Sequence, residues 1–570
     1  MASAASGSLG KYFLRQILSL VIAPPIRRKL RRFLRTVEDP AEVQGRLLMR
    51  IIRRHQDTGF GRDHGFRSIR NLGDFRRALP IAGYDRLSPY IDRMRRGEFR
   101  ALLADHTVHM FALTSGTTAT RKLIPVNPSY LESYRRGWNL WGLRAFQDHD
   151  KVPMTPIVQM SGDWREELTE AGTPCGAVTG LTATMQNPVI KRLYAVPGSA
   201  GRIKDPTAKQ YLAMRLSMPR QVGMVLAANP STLVNLARFG NDYSDDLIRD
   251  IRDGGISSRF EIPADIRDEV SRRASRPNPE RASALERVRN KEGGLFPKDY
   301  WPEWTLLGNW TGGSMGAYLR QYPKYFGAMP VRDVGLIASE GRMTIPVVDS
   351  CPSGVLDIVS HFFEFVPEEE IGAANPQTLL AHELELGKTY FILLTTDYGL
   401  YRYDIRDLVK CTGFLGKTPL LEFLNKGSYF SNMTGEKLSE YHVTRAVAQA
   451  LALHDLALSS YSVAPIWDER MPSYGLHVEA GELGSPEQAG KFLQDLERIL
   501  QQLNVEYESK RSSQRLGPLR LIRLRPGYWA EWDRQRLLAT RGAPEQYKHP
   551  CLINDLNFHS GLSKDGIVTN

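Results

Sequence analysis

Apolar residues recur at helical spacing at Val43, Leu47, Leu48, Ile51 and Ile52, and the pattern stops before Thr58-Gly59. This predicts an amphipathic helix ending there. Between about 105 and 425, short β-rich runs such as Phe391-Ile392-Leu393-Leu394-Thr395 and Val355-Leu356-Asp357-Ile358-Val359 alternate with helical patterns, as α/β layers require. Beyond about 438 the pattern changes to a helix over 438–451, strands over 459–466 and 474–479, a helix over 486–503 and a strand over 519–524. That succession predicts a compact α+β unit. The polar, glycine-containing stretch 426–437 lies between the two patterns and is the expected hinge. The chain therefore divides into a basic helical segment (1–40), a large mixed α/β body (41–425), the hinge, and a small C-terminal domain (438–570). The Arg/Asp-rich stretch 264–293 reads as a surface helical insertion.

Composition adds little until charge is located along the chain. With 42% apolar and 24% charged residues, fibrous, disordered and membrane-embedded classes are set aside. The net charge of +12 is local: the first 100 residues hold 22 Lys/Arg against 9 Asp/Glu, and the rest is close to neutral. Residues 8–36 read as a basic amphipathic helix pair broken at Pro24-Pro25, which could pack on the protein's own body or touch an anionic membrane surface weakly. No nucleic-acid partner is expected. The apolar run 17–23 is too short to span a bilayer, so a cytoplasmic protein is expected. Cys175, Cys351, Cys411 and Cys551 have no paired spacing, which disfavours a disulfide framework or a structural zinc site.

Thr114-Ser115-Gly116-Thr117-Thr118-Ala119-Thr120-Arg121-Lys122 follows the apolar run Met110-Phe111-Ala112-Leu113. A strand feeding a Ser/Thr/Gly loop that ends in lysine offers hydroxyls, backbone N–H groups and one cation, the means of holding a polyphosphate. It is not a Walker A loop, which needs a second glycine before the lysine and Ser/Thr after it. Alone, such a loop is most often an ordinary turn.

Further segments appear in order with this loop: Thr58-Gly59-Phe60-Gly61, Ile81-Ala82-Gly83-Tyr84-Asp85, Pro89-Tyr90-Ile91-Asp92-Arg93, Ala338-Ser339-Glu340, Leu400-Tyr401-Arg402-Tyr403-Asp404-Ile405-Arg406-Asp407 and Gln546-Tyr547-Lys548-His549-Pro550. Together they resemble the GH3 family of acyl acid amido synthetases, over most of residues 40–555. The resemblance implies the architecture of the adenylate-forming superfamily, with a large N-terminal body and a smaller mobile C-terminal domain. It also implies ATP and Mg²⁺, a small carboxylic acid activated as its acyl-AMP, and an amino acid or other amine as acceptor.

By the same resemblance Ser115, Gly116, Thr117, Thr118 and Lys122 form the phosphate loop, Ser339 lies near the α-phosphate, and Glu340 holds Mg²⁺. Asp407 accepts from the ribose hydroxyls, with Asp404, one helical turn earlier, as the weaker candidate. Lys548 is the lysine that bridges carboxylate and phosphate during adenylation, and Gly313, Ser314 and Tyr318 line the active site. The chemistry agrees with these types: a carboxylate attacking a phosphate brings anion to anion, and cations must offset the repulsion. Ala119 and Thr120 depart from the usual loop, and Leu336 stands where plant members carry an aromatic. The run 337–343 looks more like bacterial members.

Three alternatives accompany this reading. An acyl-CoA ligase uses the same adenylation chemistry with a thiol acceptor. Gly312-Gly313-Ser314-Met315-Gly316 matches the G-x-S-x-G elbow of serine hydrolases, with Asp357 and either His361 or His549 as partners. The third is a non-catalytic peripheral-membrane scaffold using the basic N-terminus. Trp164, Thr179, Met224 and Ala228 are candidate shapers of the acyl site.

Overall fold

The computed structural model describes residues 23–114, 122–371, 373, 375–426, 430–431, 433–434, 436, 438–468, 471–512, 516–540, 547–562 and 566–568. The chain clusters into two units. The larger comprises Met1–Trp310, Pro323–Ile405 and Lys410–Glu422; the smaller comprises Thr311–Tyr322, Arg406–Val409 and Phe423–Asn570.

The larger unit is mixed α/β. One sheet orders its strands Lys122–Val126, Met110–Thr114, Pro174–Gly176, Glu167–Leu168, and its first pair is an antiparallel hairpin in which Thr114 faces Lys122. A second sheet, Ile157–Gln159, Met224–Leu226, Leu306–Asn309, Val331–Asp333, is parallel throughout. Its inner strands are buried on every residue, as a parallel sheet covered on both faces requires. A third, six-stranded sheet includes Phe362–Pro367 paired with Thr389–Thr395.

Several helices in this unit start by one repeated local rule. Asp39-Pro40, Asn127-Pro128, Asp205-Pro206, Asn229-Pro230 and Asn278-Pro279 each place an Asx side chain on orphan N–H groups of the first turn, with proline just inside, where no donor is needed. The helix over 43–52 is observed as Pro40–His55. The Arg/Asp-rich stretch forms two helices, Ala264–Ala274 and Pro279–Glu292.

One expectation is corrected and another is met only in part by the described residues. Pro24 and Pro25 sit at the start of the helix Ala23–Thr36, where proline is tolerated. The first part of the expected pair, up to residue 22, lies outside the described residues. This helix packs on the protein's own body, since Phe33 and the following Val37 are buried with Leu140, Trp141 and Ala145. The strand expected over 355–359 is Ser353–Leu356, because Asp357 turns the chain by accepting from the N–H of Ser360 at 3.1 Å.

The smaller unit is α+β. Tyr461–Ile466 pairs antiparallel with Ser473–Glu479, which pairs in parallel with Arg520–Leu524. Glu440–His454 and Pro486–Leu503 cover the sheet, and Val443, Val447, Leu451, Val463, Leu476, Phe492 and Leu496 make the core. Two helices were not expected, Val505–Ser512 and Tyr528–Thr540. Among the described residues no helix is long and apolar enough to cross a membrane.

Candidate functional site

In the larger unit the hairpin brings Thr114 and Lys122 together as paired residues, so the intervening loop leaves and re-enters at one point. Ser115, Gly116, Thr117 and Thr118 lie outside the described residues. Lys122 is half-buried, its Nζ 5.8 Å from the ring centre of Tyr84. The Tyr84 hydroxyl accepts from the N–H of Leu123 at 3.0 Å, and burial pushes its pKa up to about 12. Tyr84 thus fixes the strand residue next to the lysine.

Ser339 and Glu340 are the two loop residues of a tight hairpin. Ile337–Ala338 pairs with Gly341–Arg342, Ala338 facing Gly341. The return strand begins at Gly341 with φ 139°, a backbone region that favours glycine. Only glycine fits: a Cβ would lie 2.3 Å from the Tyr398 hydroxyl and 3.0 Å from His361 Nε2. Arg342 is buried, donates to the Val334 carbonyl at 2.6 Å, and lies 4.6 Å over the Trp138 ring. Burial lowers its pKa to about 10.

The turn rests on the root of the loop. The Ser339 hydroxyl makes a long hydrogen bond of 3.4 Å to the carbonyl of Leu113, one residue before Thr114. The Tyr130 hydroxyl donates to the Ser339 carbonyl at 3.1 Å, and the Tyr398 hydroxyl donates to the Glu340 carbonyl at 2.6 Å. Both phenols are held well above their usual pKa, first by burial, with the Glu340 charge as a further cause. Glu340 itself is 7% exposed.

No group of three or more His, Cys, Asp or Glu that could hold a metal is found among the described residues. A single buried carboxylate such as that of Glu340 is a donor type that Mg²⁺ accepts, since that ion takes one or two carboxylates and completes its shell with phosphate oxygens and water.

Gly313, Ser314, Tyr318, Asp407 and Lys548 belong to the smaller unit, whereas Lys122, Ser339 and Glu340 belong to the larger. Gly313 has φ 61° and passes so close to the Leu424 carbonyl that a Cβ would lie 2.8 Å from it. Arg320, just after Tyr318, ties this stretch to the helix Glu440–His454 by donating to the Ala448 carbonyl at 2.8 Å. Asp407 is 2% exposed and sits in the strand Tyr403–Leu415. Asp404 is therefore three strand positions away, not one helical turn. Arg406, before Asp407, has φ 61°. Lys548 Nζ lies 4.9 Å from the Phe423 ring centre.

The hydrolase reading fails on geometry. An elbow serine needs the strained position of a sharp strand-to-helix turn, but the positive φ falls on Gly313 and residue 314 lies inside a 3-10 turn, Gly313–Met315. Asp357 does not orient a histidine: it accepts from the Ser360 hydroxyl, while His361 faces the Tyr398 hydroxyl at 3.4 Å. His549 pairs with Asp533.

A cavity of about 330 Å³, missed in the sequence apart from Trp164, opens beyond the carboxyl end of the strand Ile157–Gln159. Gln159, Ser161, Trp164, Lys191, Tyr194 and Arg273 are among its walls. Three glycines fix its floor. A Cβ on Gly176 would come within 2.4 Å of the Asp163 carbonyl, and Cβ atoms on Gly180 and Gly201 within 2.2 and 2.5 Å of the Gly162 carbonyl. The Ala177 N–H donates to the Asp163 carbonyl at 2.7 Å, and the Gly162 N–H to the Thr179 hydroxyl at 3.1 Å. Because Pro174–Gly176 runs parallel to Met110–Thr114, this floor abuts the sheet end from which the loop departs. Thr179 thus supports the cavity from behind, Met224 is buried in its strand, and Ala228 is exposed. Ligand crevices form at such carboxyl ends of parallel strands.

The indole-3-acetic acid-amido synthetase GH3.3 of Arabidopsis thaliana is 26% identical over 72% of this chain and 71% of its own. The jasmonoyl-L-amino acid synthetase GH3.5 of Oryza sativa subsp. japonica is 26% identical over 91% and 93%. The solved structure of the acyl acid amido synthetase AtGH3.15 in complex with 2,4-DB superposes with a TM-score of 0.83 at 20% identity, covering 95% of this chain and 96% of that one. Its likeness establishes the fold, a large mixed α/β body with a smaller α+β domain. The models of the GH3 N-terminal, central and C-terminal domains match residues 29–331, 354–426 and 441–557. With matches in that order along the length of the chain, this protein belongs to the GH3 family.

Proposed function

We propose that this chain is an ATP-dependent amido synthetase that activates a small carboxylic acid as its acyl-AMP and passes the acyl group to an amino acid or other amine. The observation that carries this reading is the Ser339–Glu340 turn, braced against the strand that feeds the 115–121 loop. A carboxylate oxygen of the acid attacks the α-phosphorus of ATP, and the bond to pyrophosphate breaks. The amine then attacks the acyl carbonyl, AMP leaves, and the amine loses a proton.

In this reading Ser115, Gly116, Thr117, Thr118 and Lys122 hold the phosphates, Ser339 lies beside the α-phosphate, and Asp407 takes the ribose diol, for which a carboxylate supplies two acceptors. Glu340 would hold Mg²⁺, which supplies positive charge where the phosphates crowd. Lys548 bridges the attacking carboxylate and the phosphate, and Gly313, Ser314 and Tyr318 line the path. The 330 Å³ cavity takes the acid: Trp164 and Tyr194 offer flat apolar walls and Lys191 a cation. The hinge in this reading is 426–437, between the body (41–425, apart from 311–322, 406–409 and 423–425, which group with the smaller unit) and the C-terminal domain (438–570), and its role would be to deliver Lys548 in one domain orientation.

The reading extends to a cytoplasmic, bacterial-type protein, the latter resting on Leu336 and the run 337–343, whereas the relatives named above are plant proteins. Exposed Arg28, Arg31, Arg32 and Arg35 provide a basic face for weak contact with an anionic membrane. The test is to mix purified protein with ATP, Mg²⁺, a panel including indole-3-acetate, jasmonate and benzoate, and the twenty amino acids. AMP, pyrophosphate and an amide are expected for the correct pair. ADP in place of AMP, or a thioester with coenzyme A in place of the amide, overturns the reading.

A further inference from the structure

The residues on either side of Lys548 share one acceptor. Tyr547 donates its hydroxyl to Asp533 Oδ1 at 2.7 Å, and His549 Nδ1 meets the same oxygen at 2.8 Å. Asp533 lies on the helix Tyr528–Thr540, and Trp529 and Trp532 from that helix pack their rings 4.6 and 5.8 Å from the His549 ring. Positions 529, 532 and 533 share a helical face, so one side of this helix forms the socket. Downstream, the segment is tied to the edge of the strand Tyr461–Ile466, with Cys551 and Ile553 bonded to the backbone of Val463 at 2.8 and 2.9 Å. The Cys551 N–H also donates to Glu440 at 2.8 Å.

We propose that Asp533 and His549 are positioning residues that seat Lys548 for the acid-activating step. This rests on the role given to Lys548 above. Alternate side chains of an extended segment point to opposite sides. Clamping Tyr547 and His549 to Asp533 therefore turns Lys548 away from that helix and toward Phe423. The other ring nitrogen of His549 completes the brace: Nε2 meets the Ser462 hydroxyl at 3.0 Å, and that hydroxyl donates to the Pro550 carbonyl at 2.7 Å. Residues before and after the lysine are thus held by one chain of bonds. Among the described residues, charged groups nearby include Glu440, whose carboxyl is held above its usual pKa by burial, against the opposing pull of Lys548 and His549, and Arg536, 5.0 Å over Trp532.

Ser462, His549 and Asp533 have the connectivity of a nucleophilic triad, but the serine does not have the chemistry. Ser462 is fully buried and its proton is committed to a carbonyl, so no substrate reaches it. The chain is a brace.

The test uses full-length Asp533→Ala, Asp533→Asn, Lys548→Ala and the Asp533→Ala/Lys548→Ala double variant. Three quantities are read: pyrophosphate release with the acid found above, amide formation from its supplied acyl-AMP, and the acetylation rate of Lys548 by N-hydroxysuccinimidyl acetate, with Lys291 as internal reference. Asp533→Ala should lower kcat for pyrophosphate release about 10-fold with KM for ATP within about twofold, leave amide formation within about twofold, and speed Lys548 acetylation about threefold or more. Asp533→Asn keeps an acceptor and the side-chain shape, and should restore most of the rate. In the Lys548→Ala background the Asp533→Ala change should add less than about twofold. Full activity in Asp533→Ala, equal losses in both half-reactions, or additive losses in the double variant overturn the proposal. Intact pyrophosphate release in Lys548→Ala would instead sink the role of Lys548, and the acetylation rates would still report whether Asp533 seats it.

Discussion

The Ser339–Glu340 turn and the 547–550 segment both present a charged residue, and they are held in opposite ways. The turn is fixed by backbone pairing, a glycine with no spare space, and buried tyrosines that donate to both turn carbonyls. The 547–550 segment is held by side chains converging on one aspartate that is itself 22% exposed. Backbone pairing among buried groups resists displacement, whereas a few side-chain bonds can open at modest cost. A group that must stay in place is built the first way. One that serves a single step of a reaction can be built the second.

The largest expected effect tests that division. Lys548→Ala should slow acid-dependent pyrophosphate release by about 10²-fold or more, a typical loss for one electrostatic contact to developing charge. Conversion of supplied acyl-AMP to amide should suffer much less. Equal losses would mean that the lysine is as permanent a fixture as Glu340.

The converse change is a single methyl in the fixed turn. Gly341→Ala would put a Cβ against the Tyr398 hydroxyl in a backbone region that side chains avoid. Strain of this kind and overpacking each cost about 1–3 kcal/mol. Stability should drop by about 2–6 kcal/mol, read by denaturant unfolding, and pyrophosphate release should fall with it although residue 341 holds no substrate. Unchanged unfolding and activity would show that the turn is looser than its packing implies.

Asp407→Ala ranks next. Losing a charge-assisted hydrogen bond costs about 1.5–3 kcal/mol, so ATP should bind about 10- to 100-fold more weakly, with a smaller change in kcat. Calorimetric titration of ATP measures this directly. Normal ATP affinity in a folded Asp407→Ala protein would remove the residue from the nucleotide site.

Much of the fold was written in local patterns. Alternation along 459–466 and 474–479 and the 3.6-residue period of 486–503 depend only on neighbours in sequence, and each element was found within a residue or two. The helix Tyr528–Thr540 escaped because its burial rests on Trp529 and Trp532 and no continuous apolar stripe announces it. The candidate site was legible as segments, since its residue types sit in short runs. Its supports were not: Gly176, Gly180 and Gly201 meet the 161–164 loop only after folding, and Asp533 is sixteen positions from His549 with no spacing rule to join them.

The smallest effect concerns acid. His361 is fully buried beside Gly341 and Tyr398, and burial, followed by the nearby Arg136 charge, lowers its pKa to about 3. Above pH 6.5 neither the folded nor the unfolded chain protonates it, and it contributes nothing. Below 6.5 the unfolded chain binds a proton that the folded state refuses, so stability falls by about 1.4 kcal/mol per pH unit until pH approaches 3. His442 and His477 in the smaller unit, each lowered to about 4 by burial, act with the same sign. Unfolding of the wild type should therefore become easier between pH 6 and pH 4. His361→Gln, which cannot titrate, should remove about 1.4 kcal/mol per pH unit of that slope and leave the part due to His442 and His477. Denaturant melts at the two pH values, with wild type and variant compared, measure it. An unchanged slope in the variant would mean that water reaches His361, and with it the underside of the Ser339–Glu340 turn.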